Sequence, residues 1–276
     1  MEYLIIISCI CYVLSTAGYM AYLYLQKEFL QKIACLLLFS GFIFHTLALS
    51  VEVFQSHQMP VRNLYETLSL TSWAIAAVFL IFKYKFNLKI LGVYAAPLVA
   101  LIMLIATQMP NNPGIEKNIF ANFWLVVHVL TIFLANAAFA LAFGIGILYL
   151  IQENSIKSKK YGFFFKRLPS LELLDSTGYA CIISGFSLLT VGLVIGFVYA
   201  KSIWGKFWTW DPKEVWSGIT WLLYAALLHE RLAVGWRGRK SAIVAIIGFI
   251  IILFTFFGVN FLLKGHHGEF TSLYNY

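Results

Sequence analysis

Five tryptophans stand within one short stretch of the sequence, KSIWGKFWTWDPKEVWSGITW, which covers residues 201–221. They are five of the eight in the chain, namely Trp204, Trp208, Trp210, Trp216 and Trp221. Lysines and two acids, Asp211 and Glu214, stand between the indole rings. Aromatic rings stack on the faces of a planar molecule, while lysines attract a negative edge. The stretch therefore predicts a site for a large planar ligand that carries carboxylates.

Haem is a ligand of this kind, because it is planar and carries propionates. The alternative is an aromatic belt, in which indole rings lie at the level of the lipid headgroups. A belt spreads its tryptophans over many helix ends, whereas these are concentrated in one loop and the helix start after it. The concentration favours a haem site over a belt.

The composition indicates a membrane protein. Of the 276 residues, 61% are hydrophobic and 12% are charged, and the mean hydropathy is +0.82, which a soluble domain could hardly reach. The net charge of +8 does not predict nucleic-acid binding, because the basic residues lie in short loops between apolar runs. The four cysteines form no C-x-x-C pair, so no thiol redox centre is predicted. A phosphate-binding glycine loop is missing too, which disfavours an ATP-driven pump.

Eight apolar runs are long enough to cross a bilayer as helices. They cover residues 3–25, 30–53, 64–82, 88–106, 122–151, 174–200, 217–233 and 241–263. The sequence therefore predicts an all-α integral membrane protein, a bundle of about eight transmembrane helices that forms a single polytopic domain over residues 1–276. The first run lacks the basic start and the cleavage pattern of a signal peptide, so we expect it to be retained as a helix.

Basic residues predict the orientation of this bundle. With the N-terminus outside, 14 of the 20 lysines and arginines fall in inner segments, as the positive-inside rule requires. Both termini and the stretch at 201–221 then face out. In an outer loop, Pro60, Asn63 and Glu66 suit a turn followed by a helix start. The basic segment 152–168 is expected to lie along the inner membrane surface.

The residues WGKFWTWDPKEVWSGITWLLYAALLHERL resemble the W-G-x-x-W-x-W-D motif, called WWD, of the haem-handling proteins of cytochrome c maturation. Within that superfamily, which includes CcmF and CcmC, they are most similar to the CcsA (ResC) family. The segment from Pro60 to Glu66 resembles the P-x-x-N-x-Y-E segment of that family, and the resemblance extends from about Gly41 to the tail. It implies that residues 201–221 form an external loop that binds haem b, which is both ligand and substrate.

Histidine is the commonest axial ligand of haem iron, and the chain contains six. His128 lies about two turns into the fifth run, and His266 and His267 follow the eighth, so all three are predicted on the outer side. The family places one ligand in an H-V helix before the tryptophan motif and another in a tail after it. His128 matches the first, and alignment on the tail glycine favours His267 over His266 for the second. Without the resemblance, a lone histidine on an apolar face is as readily a buried structural residue.

His229 lies about 18 Å of helical rise below the outer end of the seventh run, in the inner half of the bilayer. An ionisable group at that depth indicates function. It matches the transmembrane histidine of the family, in the T-W-L-x-x-A-x-x-x-H stretch from Thr220, and would ligate a second haem in transit. The alternative is a neutral imidazole near Arg231. His45 lies too far toward the outer half to be its trans ligand, and His57, in a loop, has no assigned role.

The resemblance implies that the chain is the haem-binding subunit of a cytochrome c synthase. It would hold reduced haem between two axial ligands and present the vinyl groups to the C-x-x-C-H thiols of apocytochrome c. No catalytic residue is predicted, because the chain contributes binding and orientation. The implied haem-binding residues are His128, His267, His229, Trp204, Trp208, Trp210, Asp211 and Trp216.

The resemblance also implies partners and a location. The partners are the CcsB (ResB) membrane protein, which supplies the missing ligand opposite His229, apocytochrome c, and proteins of a thiol-reducing pathway. The expected location is the bacterial inner membrane, or the thylakoid membrane if the chain is plastid-encoded.

Two other functions share parts of this pattern. A protein like CcmC would deliver haem to a chaperone without making a thioether, although members of that type are shorter, with about six spans. A solute transporter or an assembly scaffold would bind no haem. Co-purification of haem separates the transporter or scaffold from the other two.

Overall fold

The computed structural model describes residues 2–111, 123–159, 162–163 and 165–258, with Trp204 described by its backbone alone. Over these ranges the chain forms eight α-helices and no β-strand. The helices are α1 (Glu2–Leu25), α2 (Glu28–Ser56), α3 (Leu64–Phe86), α4 (Leu91–Thr107), α5 (Phe123–Lys157), α6 (Leu171–Trp204), α7 (Pro212–His229) and α8 (Arg239–Leu253). π-Helical turns extend α7 over Glu230–Val234 and α8 over Phe254–Gly258. The predicted all-α membrane fold is confirmed.

Six of the described helices are long and apolar enough to cross a membrane, namely α1, α2, α3, α5, α6 and α8 with its π-helical turn. The apolar helix α4 has 17 residues, and about 20 are needed to cross the hydrocarbon core. α7 has 18 residues and begins with charged ones. All eight predicted helices therefore exist, while the crossing of the membrane by α4 and α7 remains a prediction.

α7 begins at Pro212, before the predicted apolar run that starts at residue 217. The Asp211 side chain accepts a hydrogen bond from the Lys213 amide and caps the helix. Pro212 occupies the first helical position, where its missing N–H removes no helical hydrogen bond. Polar capping residues therefore start this helix ahead of its apolar part.

α5 continues to Lys157, whereas its predicted apolar run ended at residue 151. The extension carries Glu153, whose carboxylate accepts hydrogen bonds from Lys157 at 2.8 Å and from Arg239 of α8 at 3.1 Å. The position of residues 152–168 along the membrane surface therefore stays a prediction, although the first part of that segment continues α5. Residues 152–157 are helical and are tied to the start of α8.

The core of the bundle surrounds α3 and α5. Phe79 of α3 and Phe139 of α5 are fully buried. The Phe139 ring stacks on the buried Tyr224 ring of α7, with centroids 3.8 Å apart. This stack anchors the middle of α7 to the central helices, so the residues at its two ends have defined positions.

Glycines on α6 allow α5 to pack against it at close range. A Cβ atom at Gly185 would lie 2.8 Å from the Phe139 ring, and one at Gly192 would lie 2.6 Å from Cδ1 of Ile132. Both distances are shorter than real carbon contacts, so the two helices approach this closely only at glycine. Positions on α5 fall as positions on α6 rise, which means that the helices are antiparallel.

The bundle has two chemically different ends. We call the end with the α3–α4, α5–α6 and α7–α8 connections the basic end. It contains the ion pairs Arg231–Asp175 and Lys89–Glu28, each with a shortest separation of 2.7 Å. Arg167 also donates to a backbone carbonyl near the end of α1. We call the opposite end, which carries the α6–α7 connection, the tryptophan end.

We predict that Gly185→Val destabilises the purified protein, because the new side chain would overlap the Phe139 ring and push α5 from α6. Overpacking of this kind costs about 1–3 kcal/mol, so the melting temperature in detergent should fall by several degrees. Gly162→Val is the matched control, since a Cβ atom there meets nothing within 4 Å. Equal melting temperatures for the two variants would contradict the close helix contact.

Candidate functional site

The external loop predicted over residues 201–221 is shorter in the structure, because residues 201–204 belong to α6 and residues 212–221 to α7. Residues 205–211, which we call the tryptophan loop, connect the two helices. Gly205 ends α6 with a φ of 71°, which glycine adopts without strain. At the other end, the Glu214 carboxylate accepts hydrogen bonds from the Thr209 amide at 2.8 Å and from the Thr209 hydroxyl at 3.0 Å. The buried Asp211 accepts from the Lys213 amide at 2.9 Å. These contacts fix both ends of the loop and therefore the indole rings within it.

Trp208 and Trp210 contact each other in this loop. Their ring centroids are 5.8 Å apart, and the ring planes meet at 86°. Trp208 packs inward on Phe197 of α6, with centroids 5.7 Å apart, whereas Trp210 is 78% exposed. The pair therefore presents an exposed indole beside a half-buried one, set at right angles to each other.

Two features of this pair indicate a ligand site. Nε1 of Trp208 is buried and has no hydrogen-bond partner among the described residues, and such an unpaired donor costs about 1–3 kcal/mol. Trp210 has a φ of 62°, in a region that bulky residues rarely occupy, and backbone strain of this kind concentrates at functional sites. A carboxylate on a bound ligand, such as a haem propionate, would satisfy the Trp208 donor.

Other tryptophans of the stretch have different surroundings. Trp216 contacts Phe254 of α8, with ring centroids 4.6 Å apart. Trp221 donates from Nε1 to the hydroxyl of Thr190 at 2.9 Å. Trp216 and Trp221 therefore join α7 to its neighbouring helices. The side chain of Trp204, a predicted haem contact, lies outside the described residues.

Cationic side chains surround the tryptophan loop. Lys206 is exposed, and Nζ of Lys201 lies 5.3 Å from the centroid of the Phe207 ring. Lys213 precedes the predicted span at 217–233. Desolvation lowers the pKa of Lys213 from its ordinary 10.5 to about 8, although the Asp211 carboxylate opposes this effect. Lys213 is therefore mostly charged at neutral pH, and the loop has a positive edge suited to carboxylates.

His128 lies in the second turn of α5, where its ring packs against α6. Nδ1 lies 2.7 Å from the carbonyl oxygen of Gly192. Because a carbonyl only accepts hydrogen bonds, Nδ1 carries the proton and Nε2 carries the lone pair. A Cβ atom at Gly196 would lie 2.7 Å from Cε1 of His128, so this glycine leaves the space that the ring occupies. The contacts fix both the tautomer and the orientation of the ring, as the outer-shell partner of a metal-binding histidine does.

His128 and Trp208 contact α6 at nearly the same level. Gly196 lies beneath His128, and the next residue, Phe197, contacts Trp208. Successive helical residues differ by about 1.5 Å in height and about 100° in direction. The structure therefore brings the first predicted ligand and the tryptophan loop to neighbouring sides of one helix, about 12 Å from its end.

His229 is the last residue of α7 before the π-helical turn and lies toward the basic end. Its side chain is exposed, on the same face as the exposed Ile219 and Leu222. Arg231 pairs with the Asp175 carboxylate at 2.7 Å. About 25 Å of helical rise separates His229 from the start of α7. The structure therefore does not bring His229 to the tryptophan loop.

The other histidines in the described part of the chain have structural surroundings. His45 is fully buried, with Nε2 2.9 Å from the Ser69 hydroxyl and Nδ1 3.3 Å from the Tyr12 hydroxyl. His57 is exposed and ends α2 in a left-handed conformation. The hydrogen bonds and ring contacts given above for these two histidines do not involve the tryptophan loop.

The predicted second ligand, His267, and its neighbour His266 lie outside the described residues. The described part of the helix that precedes them reaches the tryptophan end. Its π-helical turn contacts α7 through Phe254, and Phe256 packs against the cluster around Tyr65 at the start of α3. The described part of α8 therefore leads toward the face of the bundle that carries the tryptophan loop.

Three residues that the sequence did not assign support the site. Glu214 holds the tryptophan loop, and Gly192 and Gly196 position His128. Glu214 has a recognisable signal, because an acid three residues after the capping Asp211 is typical of a capping box. Gly192 has a weaker one, since glycines recur at seven-residue intervals along α6, at 178, 185 and 192.

We predict that Trp210→Gly is more stable than Trp210→Ala. Both substitutions remove the same exposed ring, but only glycine adopts a φ of 62° without strain. The expected difference is about 1 kcal/mol in favour of glycine, measured by thermal unfolding of the two purified variants in detergent. If the alanine variant is as stable as the glycine variant, the Trp210 backbone is not strained.

Residues 61–267 match the model of a family described as "Cytochrome C assembly protein". A relative from Mesostigma viride, named cytochrome c biogenesis protein CcsA, is 34% identical and is aligned over 91% of this chain and 90% of its own length. A protein of the same name from Microcystis aeruginosa is 33% identical over 75% of this chain and 78% of its own length.

A solved structure, the cytochrome c haem lyase CcmF, has the same fold. The TM-score is 0.65 at 15% sequence identity, and the alignment covers 96% of this chain and 46% of CcmF. The chain thus spans about half the length of that protein, and the likeness concerns the fold alone. The family model and the relatives, which cover most of the chain, give the family: the chain belongs to the cytochrome c assembly proteins.

Proposed function

We propose that this chain is the haem-binding subunit of a cytochrome c synthase, which presents reduced haem for covalent attachment to apocytochrome c. The relatives are named cytochrome c biogenesis proteins, and a solved protein with this fold is named a haem lyase. The observation that carries the proposal is the fixed His128 ring. Its Nδ1–H donates to the Gly192 carbonyl at 2.7 Å, at the level of α6 where Trp208 packs.

In this proposal, Nε2 of His128 ligates the haem iron. The hydrogen bond from Nδ1 to the Gly192 carbonyl leaves the lone pair on Nε2 and increases its basicity toward a metal. His267, from the tail after α8, supplies the second axial ligand. Two histidine ligands occupy both axial positions of the iron. The apocytochrome then meets the vinyl groups at the edge of the ring.

The tryptophan loop contacts the haem ring and its propionates. The exposed indole of Trp210 offers a stacking surface, and the buried Nε1–H of Trp208 offers a donor for a carboxylate. Lys206 and Lys213 supply positive charge at the edge of the loop. The remaining proposed haem contacts are Trp204, Asp211 and Trp216.

The covalent step adds the cysteine thiols of a C-x-x-C-H segment to the vinyl groups of haem. In each addition, sulfur bonds to the vinyl carbon next to the ring, and the thiol proton ends on the terminal carbon. The bond formation itself consumes no oxidant and no reductant. The residues of this chain contribute by holding haem in one orientation beside the thiols.

At the basic end, His229 would ligate haem that is on its way to the tryptophan end. Its exposure on the surface of α7 supports this role, because a second protein chain can approach the opposite face of the iron there. The CcsB (ResB) membrane protein is the proposed source of that second ligand. Proteins of a thiol-reducing pathway would keep the apocytochrome cysteines reduced.

The proposed location is a bacterial inner membrane, or a thylakoid membrane if the chain is plastid-encoded. The tryptophan end and both termini would face outward. The concentration of lysines and arginines at the basic end supports this orientation through the positive-inside rule.

We predict that His128→Gly lowers the yield of covalent cytochrome c by more than about tenfold when expressed with the partner and an apocytochrome. Added imidazole should restore part of the activity, because it can occupy the space that the side chain leaves. Covalent haem on the apocytochrome is measured by haem staining after denaturing electrophoresis. The absorption spectrum of the purified complex reports the ligation of the iron.

His57→Gly is the matched control, since His57 is exposed and its left-handed backbone suits glycine. It should retain the parental yield. If His128→Gly forms normal amounts of cytochrome c, the proposed ligand is wrong. Haem that binds to the parent and is released without thioether formation would favour delivery to a chaperone, and a parent that binds no haem would refute the proposal.

We predict that His229→Ala removes haem from both ends of the bundle, whereas His128→Ala removes it from the tryptophan end alone. Haem is proposed to pass from the His229 site to the His128 site and not back. Loss of the His229 site should therefore leave the His128 site without haem. Haem content and cytochrome yield of His229→Ala should each fall by about tenfold. Leu222→Ala, on the same exposed face, controls for a disturbed partner surface. Full haem at the tryptophan end in His229→Ala would contradict the entry role.

A further inference from the structure

A groove lies between α2 and α3 at the basic end of the bundle. None of its lining residues belongs to the tryptophan loop or to α5. Its volume is about 440 Å³. Two lysines and four large side chains line most of it, namely Lys32, Lys83, Leu36, Phe39, Leu80 and Tyr84. The groove therefore combines two positive charges with an apolar wall.

Lys83 is half-buried in this groove and has no carboxylate partner among the residues that the structure describes. Its Nζ donates to Sγ of Cys35 at 2.9 Å, and the sulfur of a cysteine side chain is a weak acceptor. Lys89 nearby differs, because it lies 2.7 Å from both carboxylate oxygens of Glu28. A partly desolvated ammonium without a counter-charge is costly. The position of Lys83 therefore favours an anion that comes from outside the chain.

Polarity changes with depth along the groove. Lys32 lies near the start of α2, and Phe39 lies about 10 Å of helical rise deeper. Leu80 lies one turn deeper than Lys83 on α3. At the mouth, Tyr84 is 93% exposed, as is typical of an aromatic residue at the headgroup level of a bilayer. The groove is thus cationic at its mouth and apolar toward the middle of the membrane.

We propose that this groove binds an anionic phospholipid from the leaflet at the basic end. The phosphate contacts Lys83 and Lys32, and an acyl chain lies along Leu36, Phe39 and Leu80. Basic pockets between transmembrane helices on this side of a membrane bind acidic lipid headgroups by this chemistry. The proposal depends on the membrane fold and is independent of haem binding.

Haem is the rival occupant, because its propionates would also pair with lysines. The lining residues include no histidine to ligate its iron, and Sγ of Cys35, the lining sulfur that could do so, already accepts a hydrogen bond from Nζ of Lys83. Leu36 and Phe39 are exposed, so the groove is open to its surroundings along α2. A flexible hydrocarbon chain can lie in such an open groove. These two observations favour the lipid.

The test uses the full chain, purified in a neutral detergent and stripped of lipid. Phosphatidylglycerol, phosphatidylcholine, inorganic phosphate and haem are added separately, and the melting temperature and the lipid retained in native mass spectrometry are measured. Phosphatidylglycerol should raise the melting temperature, and phosphatidylcholine and phosphate should not. Lys83→Gln should weaken retention of phosphatidylglycerol by about fivefold, whereas Lys83→Arg should preserve it.

Lys85→Gln is the matched control, because Lys85 is exposed at the same end of α3, with Nζ 5.6 Å from the Phe86 ring and outside the groove. It should bind the lipid as the parent does. Leu36→Trp places a larger side chain in the apolar part of the groove without removing a charge, so it should also block retention of the lipid. This variant replaces Lys83→Gln in the test if Lys83→Gln does not fold. Equal effects of the two phospholipids, an equal effect of phosphate, or displacement of the lipid by haem would each overturn the proposal.

Discussion

The close approach of α5 and α6 is the contact on which the candidate site depends. Glycines on α6 remove the Cβ atoms that would otherwise separate the helices, and the His128 ring occupies the space above Gly196. Only at this separation does Nδ1 reach the Gly192 carbonyl. A single packing feature thus determines the depth, the tautomer and the direction of the proposed ligand. Phe197 follows Gly196 on α6 and contacts the Trp208 ring. The same helix therefore also places the tryptophan loop beside that ligand.

The tryptophan end combines rigid helix starts with unfavourable local features. Asn63 and Glu66 begin α3 by the same arrangement with which Asp211 and Glu214 begin α7, an amide-capping side chain followed by an acid that binds the preceding loop. Between such anchors, the positive φ of Trp210 and the unpaired donor of Trp208 are held in place. Stability alone would select against both features, whereas a site prepared for a planar, carboxylate-bearing ligand gains from them.

Much of this fold could be predicted from the sequence, because apolar runs of membrane-spanning length determine the helices. The WWD resemblance singled out His128 by its place in an H-V helix. Hydropathy could not detect the extension of α5 through Glu153, since polar residues continue the helix after its apolar run. The right angle between the Trp208 and Trp210 rings could not be predicted from the sequence either, because backbone strain and long-range contacts determine the ring orientations. The tautomer of His128 depends on a partner 64 positions away.

In the proposed complex, the iron of haem binds Nε2 of a histidine whose other nitrogen is held by α6. Cryo-electron microscopy of the chain purified with haem would show this ligation. We expect iron on Nε2 of His128, with Nδ1 still within hydrogen-bond distance of the Gly192 carbonyl and the haem edge at the tryptophan loop. Iron on Nδ1, a His128 ring turned away from α6, or haem bound apart from the loop would contradict the proposal.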